Sequence, residues 1–198
     1  MNKSYDDMTR EELIRELKLI SLRRQVTPHF LFNSLSVAMS LVMQSPKLAV
    51  KFLRLLSLMY RYLLMHGNEY NVPIEQEIKM MMQYHELMSL RHVDSIHLNI
   101  SDEVLNLKGH PLPPLALQGL VENAIKHNSH TRENPLIITL SVQDASLSIS
   151  NNIAPLISKV ESTNMGLAYM NETMQLLFNR NITIINDGAT FQVRIPLV

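Results

Sequence analysis

Apolar residues recur at one spacing along nearly the whole first third of the chain, and that spacing is helical. Leu13, Leu17 and Ile20, followed by Leu31 and Leu35, stand three, four or multiples of those intervals apart, which predicts one long helix with an apolar stripe over about residues 6–44. "QSPKLA" interrupts it. Ser45 is placed to cap a second helix and Pro46 to take its first position, while Leu48, Phe52, Leu55, Leu56, Met59 and Leu63 continue a helical stripe. The short connection makes the two helices an antiparallel hairpin. A hairpin with two long apolar faces cannot bury both by folding on itself, so pairing with a second copy into a four-helix bundle is the expected resolution. A homodimer is therefore expected.

After "HGNEYNV" the character changes. Pro73, Glu75 and Glu77 open another helix, which runs through "IKMMMQYHELMSLRH" to about His92. "SIHLNIS" then alternates as a strand, and "PLPPLALQGLVENAIKHN" reads as a helix opened by its prolines. "PLIITLSV" and "ASLSISNN" read as strands around a turn at Gln143 and Asp144. A helix over about Met165–Phe178 and a closing hairpin around Asp187 and Gly188 complete the order. The fold class expected is α+β: a helical hairpin over residues 1–68, then an α/β sandwich over 69–198 with one mostly antiparallel sheet and helices on one face.

Composition narrows the function. Lys plus Arg equals Asp plus Glu at 18 each, so no basic surplus argues for nucleic acid as a partner. Cysteine is absent, which excludes disulfides and thiol chemistry and fits a reducing compartment. No run approaches the roughly 18–20 apolar residues of a membrane span, and the start "MNKSYDDMTREEL" lacks the apolar core of a signal peptide. His85 and His92 share a helix without the further ligands that zinc spacing requires. The 13 methionines, Met80, Met81 and Met82 among them, read as core filling before they read as an adaptable binding face.

Two short stretches carry polar groups in patterns that suit chemistry. In "QVTPHFLFNSL", Pro28 removes a backbone bond from a helix interior at about 3 kcal/mol and is expected to kink it. His29 and Asn33 lie four apart, so the amide is placed to orient the imidazole. The bland alternative is a histidine that is merely structural. In "LVENAIKHN", Glu122 and Lys126 form one polar ridge and Asn123 and His127 another, beside the apolar ridge of Leu117, Leu120, Val121 and Ala124. The Asn123 oxygen suits Mg²⁺, Lys126 and His127 suit phosphate charge, and Glu122 suits polarising an attacking group. The competing reading is a solvated helix face with Glu122 and Lys126 in a surface ion pair.

Together, "PHFLFNSL" and "PPLALQGLVENAIKH" resemble the LytS/YehU type of sensor histidine kinase, whose hallmarks are a Pro-His-Phe-x-x-Asn phosphoacceptor segment and a Glu-Asn-Ala-x-Lys-His nucleotide box. The likeness runs from about residue 20 to the C-terminus and includes "LSLMYRYLL", "PIEQEI" and "FQVRIPL". It implies a dimeric hairpin bearing the phosphorylated histidine, joined to an ATP-binding domain of the GHKL type. On that likeness His29 is the phosphoacceptor and Asn33 its helper. Asn123 is the Mg²⁺ ligand, with Glu122, Lys126 and His127 around the phosphates. The resemblance further implies ATP and Mg²⁺ as cofactors, a response regulator aspartate as acceptor, and an upstream membrane sensor region, making this the cytoplasmic region of an inner-membrane protein. Neutral imidazole, with an ordinary pKa of about 6.5, keeps a nitrogen lone pair at pH 7 and attacks a phosphoryl group without a strong base.

The family's Asp-x-Gly-x-Gly box is altered. Here "SISNNIAPL" puts Asn151 where an aspartate accepts from the adenine amine, and an amide in that place costs about 1 kcal/mol. In "NMGLAYMN", Asn164 replaces a first glycine and Tyr169 an asparagine, while Gly166 and Leu167 remain. An arginine expected within "ETMQLLF" is absent. Two functions follow: an active histidine autokinase, or a degenerate member that works as a dimeric signalling scaffold with weak or no ATP binding.

Overall fold

A computed structural model describes Thr9 and residues 28–67, 69–154 and 165–198, with the side chains of Pro28, His29 and Met165 excepted. The helical reading before Pro28, the kink expected there, and Asn164 lie outside the described residues.

Helices α1 (Pro28–Gln44) and α2 (Pro46–His66) form the hairpin. Ser45 is extended and its side chain accepts from the Leu48 N–H, with Pro46 next, so the second helix starts where its cap and proline dictate. One face of the hairpin is buried: Ala38 and Leu41 of α1 and Ala49, Phe52, Leu55, Leu56, Met59 and Leu63 of α2. A second stripe, with Phe32, Leu35, Met39 and Val42 on α1 and Val50, Leu53 and Leu64 on α2, is exposed to solvent.

Strand β1 (Val72–Pro73) pairs antiparallel with β3 (Pro111–Leu112). Between them lie α3 (Ile74–Arg91), β2 (Ile96–Ile100) and the short α4 (Asp102–Leu105). The prolines of "PLPP" do not open the next helix as expected. Pro111 joins the two-residue strand, Leu115 takes a left-handed conformation at φ 63°, and α5 begins only at Ala116, running to His127. Proline lacks the N–H that a ladder or a helix interior needs, so the segment spends its prolines at an edge before it turns.

The remaining elements are β4 (Leu136–Gln143), β5 (Ser146–Asn152), α6 (Met165–Phe178), β6 (Thr183–Asn186) and β7 (Thr190–Pro196). The sheet order is β2-β4-β5-β7-β6, with β2 and β4 parallel and every other pair antiparallel. The β4–β5 turn is one residue later than expected. Gln143 still pairs with Ser146, and Asp144 and Ala145 take φ of 48° and 54°, the two positive values of a type I′ turn.

Register explains the layers. Ile96, Leu98 and Ile100, then Leu136, Ile138 and Leu140, Leu147 and Ile149, and Val193 and Ile195 share one face, against which α3 and α5 pack. The opposite face carries His97, Asn99, Thr139, Ser141, Ser148, Ser150, Gln192 and Arg194. This is a half-buried sheet with apolar-in, polar-out alternation. The buried side chains of hairpin and sandwich form one continuous apolar cluster.

Candidate functional site

Asn151 breaks the alternation. It follows Leu147 and Ile149 on the core-facing side of β5, between Ile138 and Phe191 of the flanking strands, and is buried. A buried amide must be hydrogen-bonded or it costs free energy. Its Nδ2 donates to the Asn152 carbonyl at 2.7 Å, which leaves Oδ1 as the acceptor for another group. That end of the apolar face opens into a cavity of about 240 Å³ between α5, β5 and α6. Asn123, Lys126 and His127 line it from α5, Asn151 from β5, and Gly166 and Leu167 from α6. Six residues selected for nucleotide contact thus share one wall-to-wall space.

The walls are held by side chains that the sequence reading did not single out. Asn128, just past α5, donates from Nδ2 to the Ala124 carbonyl and accepts the Ala154 N–H at Oδ1, at 2.8 and 2.9 Å. Ser129 N–H adds a bond to the Ala154 carbonyl at 2.7 Å. These three bonds tie the C-terminal end of α5 to the chain leaving β5, so Lys126 and His127 face Asn151 at a set separation. Asn186 and Phe191 close the far side. Asn186 occupies the core-facing register of β6, opposite Phe191, and a polar residue in that register was the available signal.

A second cavity, about 250 Å³, lies toward the hairpin. Phe30 of α1 and Met59 and Leu63 of α2 form one side, and Gln118, Glu122 and Tyr169 stand among the residues of the other. Asn123, Gly166 and Leu167 line both cavities. A methyl group built on Gly166 would sit 3.6 Å from Asn123 Nδ2, an ordinary contact, so the start of α6 rests against that amide. Asn123 is thus the boundary between a space facing the hairpin and a space lined by polar groups.

The surface-pair reading of Glu122 fails. Glu122 Oε2 accepts from Gln118 Nε2 at 2.8 Å, and among the described residues Lys126 makes no ion pair. Lys126 is exposed on the cavity rim. His127 is held below its ordinary pKa, first by burial and then by the neighbouring Lys126 charge, so it is a neutral hydrogen-bonding group at pH 7 while Lys126 supplies the positive charge. Asn33 is half-buried on α1, four residues from His29, whose backbone lies in the described helix and whose side chain is outside the described residues.

The groups available are one positive charge at the rim, a neutral imidazole and the amides of Asn123 and Asn151. Among the described residues no three His, Cys, Asp or Glu side chains converge as a metal cage. A lone amide oxygen at Asn123 fits Mg²⁺, which is usually held by one or two protein oxygens together with substrate phosphates. No described helix is long and apolar enough to cross a membrane.

Residues 17–96 match the family model described as histidine kinase. The sensor protein kinase HptS of Staphylococcus aureus, strain USA300, is 33% identical over 139 residues, covering 70% of this chain and 26% of its own length. The same protein of strain NCTC 8325 gives the same values, so the chain spans about a quarter of the curated relatives it matches. Among solved structures, the Acinetobacter baumannii histidine kinase AdeS aligns over 99% of both chains at 16% identity with a TM-score of 0.42. The catalytic domain of histidine kinase ThkA aligns over 64% of this chain and 97% of its own at 17% identity, TM-score 0.45. The chain is thus similar to histidine kinases over residues 17–96 by the family model and over 139 residues by its aligned relatives.

Proposed function

We propose that the chain is the kinase region of a two-component sensor, in which ATP with Mg²⁺ phosphorylates His29 and the phosphoryl group then passes to an aspartate of a response regulator. The observation that carries this reading is the cavity gathering Asn123, Lys126, His127, Asn151, Gly166 and Leu167, separated only by Asn123 and its neighbours from a space bounded by Phe30, the residue after His29. Bound ATP and Mg²⁺ supply the activated phosphoryl group and the cation that offsets its charge.

This chain's own residues bind and orient. Asn151 Oδ1 accepts a hydrogen bond from the adenine amine, and Asn123 Oδ1 ligates the cation. Lys126 and neutral His127 meet phosphate oxygens as charge and as N–H donor. Glu122, on the hairpin side, takes up or polarises the imidazole N–H of His29, with Asn33 orienting the ring. The exposed stripe of the hairpin fits a second copy of the chain, which would complete a four-helix bundle. On this reading residues 1–68 are the phosphotransfer hairpin, residues 69–198 the ATP-binding domain, and the whole is the cytoplasmic region of an inner-membrane sensor of the LytS/YehU type.

Incubation with labelled ATP and Mg²⁺ should yield acid-labile phosphate on the wild type and none on His29→Ala. The altered glycine boxes favour one second reading, a dimeric scaffold with weak or no ATP binding. Failure to bind ATP at millimolar concentration with the dimer intact would select it.

A further inference from the structure

Glu77 is the most deeply buried acidic side chain among the described residues, at 0% exposure; burial pushes its pKa up, and its own side chain lines neither cavity, so neither explains its place. Its three hydrogen bonds do. Oε1 accepts the Tyr62 hydroxyl at 2.6 Å and the Leu115 N–H at 2.7 Å, and Oε2 accepts the Leu117 N–H at 3.0 Å. The last two are orphan donors at the start of α5. That helix has no side-chain cap of its own, because Leu115 stands at the capping position in a left-handed conformation. A carboxylate from a helix 38 to 40 positions earlier in sequence replaces the local serine or aspartate that usually serves, and the positive end of the α5 dipole favours its charge. The third bond reaches elsewhere: Tyr62 is the last turn but one of α2, in the hairpin.

We propose that Glu77 is a positioning residue for phosphoryl transfer: it holds the helix bearing Glu122 and Asn123 by its first turn, and through Tyr62 it locks that helix to the hairpin that carries His29. This deepens the kinase reading and rests on it. The geometry divides the task between two kinds of bond. Both backbone bonds belong to α5 itself, so their loss displaces the nucleotide side. Only the tyrosine bond spans to the hairpin, so its loss leaves the nucleotide cavity built and frees the hairpin relative to it. A distance error of an ångström between phosphoacceptor and phosphate is enough to slow transfer many-fold without weakening nucleotide binding.

The full chain in the Tyr62→Phe form, which removes one oxygen and keeps the ring, separates these effects. Phosphorylation of His29 at saturating ATP should slow by about tenfold or more, with ATP affinity changed by less than about twofold, the signature of an interaction needed for transfer but not for binding. Wild-type speed, or rate and affinity falling in step, overturns the coupling. Glu77→Gln preserves the side-chain volume and tests the capping arm by amide hydrogen exchange at Leu115 and Leu117, which should quicken by about tenfold or more in Glu77→Gln and stay as in wild type in Tyr62→Phe. Unchanged exchange in Glu77→Gln overturns the positioning role. Exchange needs no nucleotide. If the wild type neither binds ATP nor labels His29, the kinase reading falls, while the exchange result still upholds or overturns the hold of Glu77 on α5.

Discussion

The hairpin and the sheet solve the problem of an apolar face in opposite ways. Along the sheet, Leu136, Ile138, Leu140, Leu147 and Ile195 are all essentially inaccessible, and the opposite face carries serine, glutamine and histidine. That layer is buried within one chain from β2 to β7, while at the edge strand β6 Ile184 remains exposed. The hairpin buries one stripe against the sandwich and leaves Met43 at 87% and Leu64 at 84% exposure. Contiguous exposed apolar surface on a pair of long helices marks an interaction face. The sandwich is thus organised around an internal space lined in part by polar groups, and the hairpin around an apolar surface left open to solvent.

Several substitutions would break or sharpen that contrast. The largest effect belongs to the buried layer: Leu140→Ala should cost about 2–5 kcal/mol of unfolding free energy by denaturant titration, with the oligomeric state of the folded fraction unchanged. Next comes the exposed stripe. Met43→Glu with Leu64→Glu should weaken self-association by about 100-fold, roughly 3 kcal/mol, read by sedimentation against concentration, while thermal stability of the monomer holds. If that pair associates as the wild type does, the hairpin surface has some other use.

A smaller effect concerns the seam where α3 meets β2. The His92 and His130 rings lie edge to face at 4.9 Å, and Ser95 Oγ is 2.9 Å from His130 Nδ1. Burial, then the charges of His130 and Arg91, hold His92 below its ordinary 6.5, at about 4. The folded state therefore favours neutral His92, and in that window the unfolded chain binds more protons. Stability from this group is complete above pH 6.5 and is lost as pH falls toward and through 4. After discounting for its partial exposure the loss is on the order of 1 kcal/mol, and His92→Gln should flatten the decline in melting temperature between pH 6.5 and 4. The smallest change expected is Tyr60→Phe. The Tyr60 hydroxyl is buried without a hydrogen-bond partner among the described residues, so its removal should leave stability and ATP affinity within about 0.5 kcal/mol or slightly improve the former. It is the natural control for Tyr62→Phe on the same helix.

Much of the architecture was legible because its signals are local. Ser45 with Pro46 marked the helix start at the residue where it occurs, and Asp187 with Gly188 marked the last hairpin, where Gly188 adopts φ 85° and Asp187 Oδ1 accepts the Ala189 and Thr190 N–H groups. The β4–β5 turn was misplaced by one residue because Asp144 and Ala145 lack the glycine that usually advertises positive φ. The prolines before α5 misled for a related reason. Proline at a helix start and proline at a strand edge look alike until the partner strand is known, and here Val72 and Pro73 are that partner.

Sequence alone determined most of the segments that coil and extend, and which polar side chains share a ridge of one helix. Period, capping residues and the Asn-x-x-Lys-His spacing act within a few residues of one another, so the rest of the chain revises such signals only where a distant partner competes, as it does at Pro111. Tertiary structure alone decided that Asn123, Asn151 and Gly166 share a cavity and that Glu77 leaves solvent to cap a helix far along the chain. Each of those outcomes depends on how helices and sheet settle against one another, because burial and hydrogen bonding across such separations exist only once the core has closed.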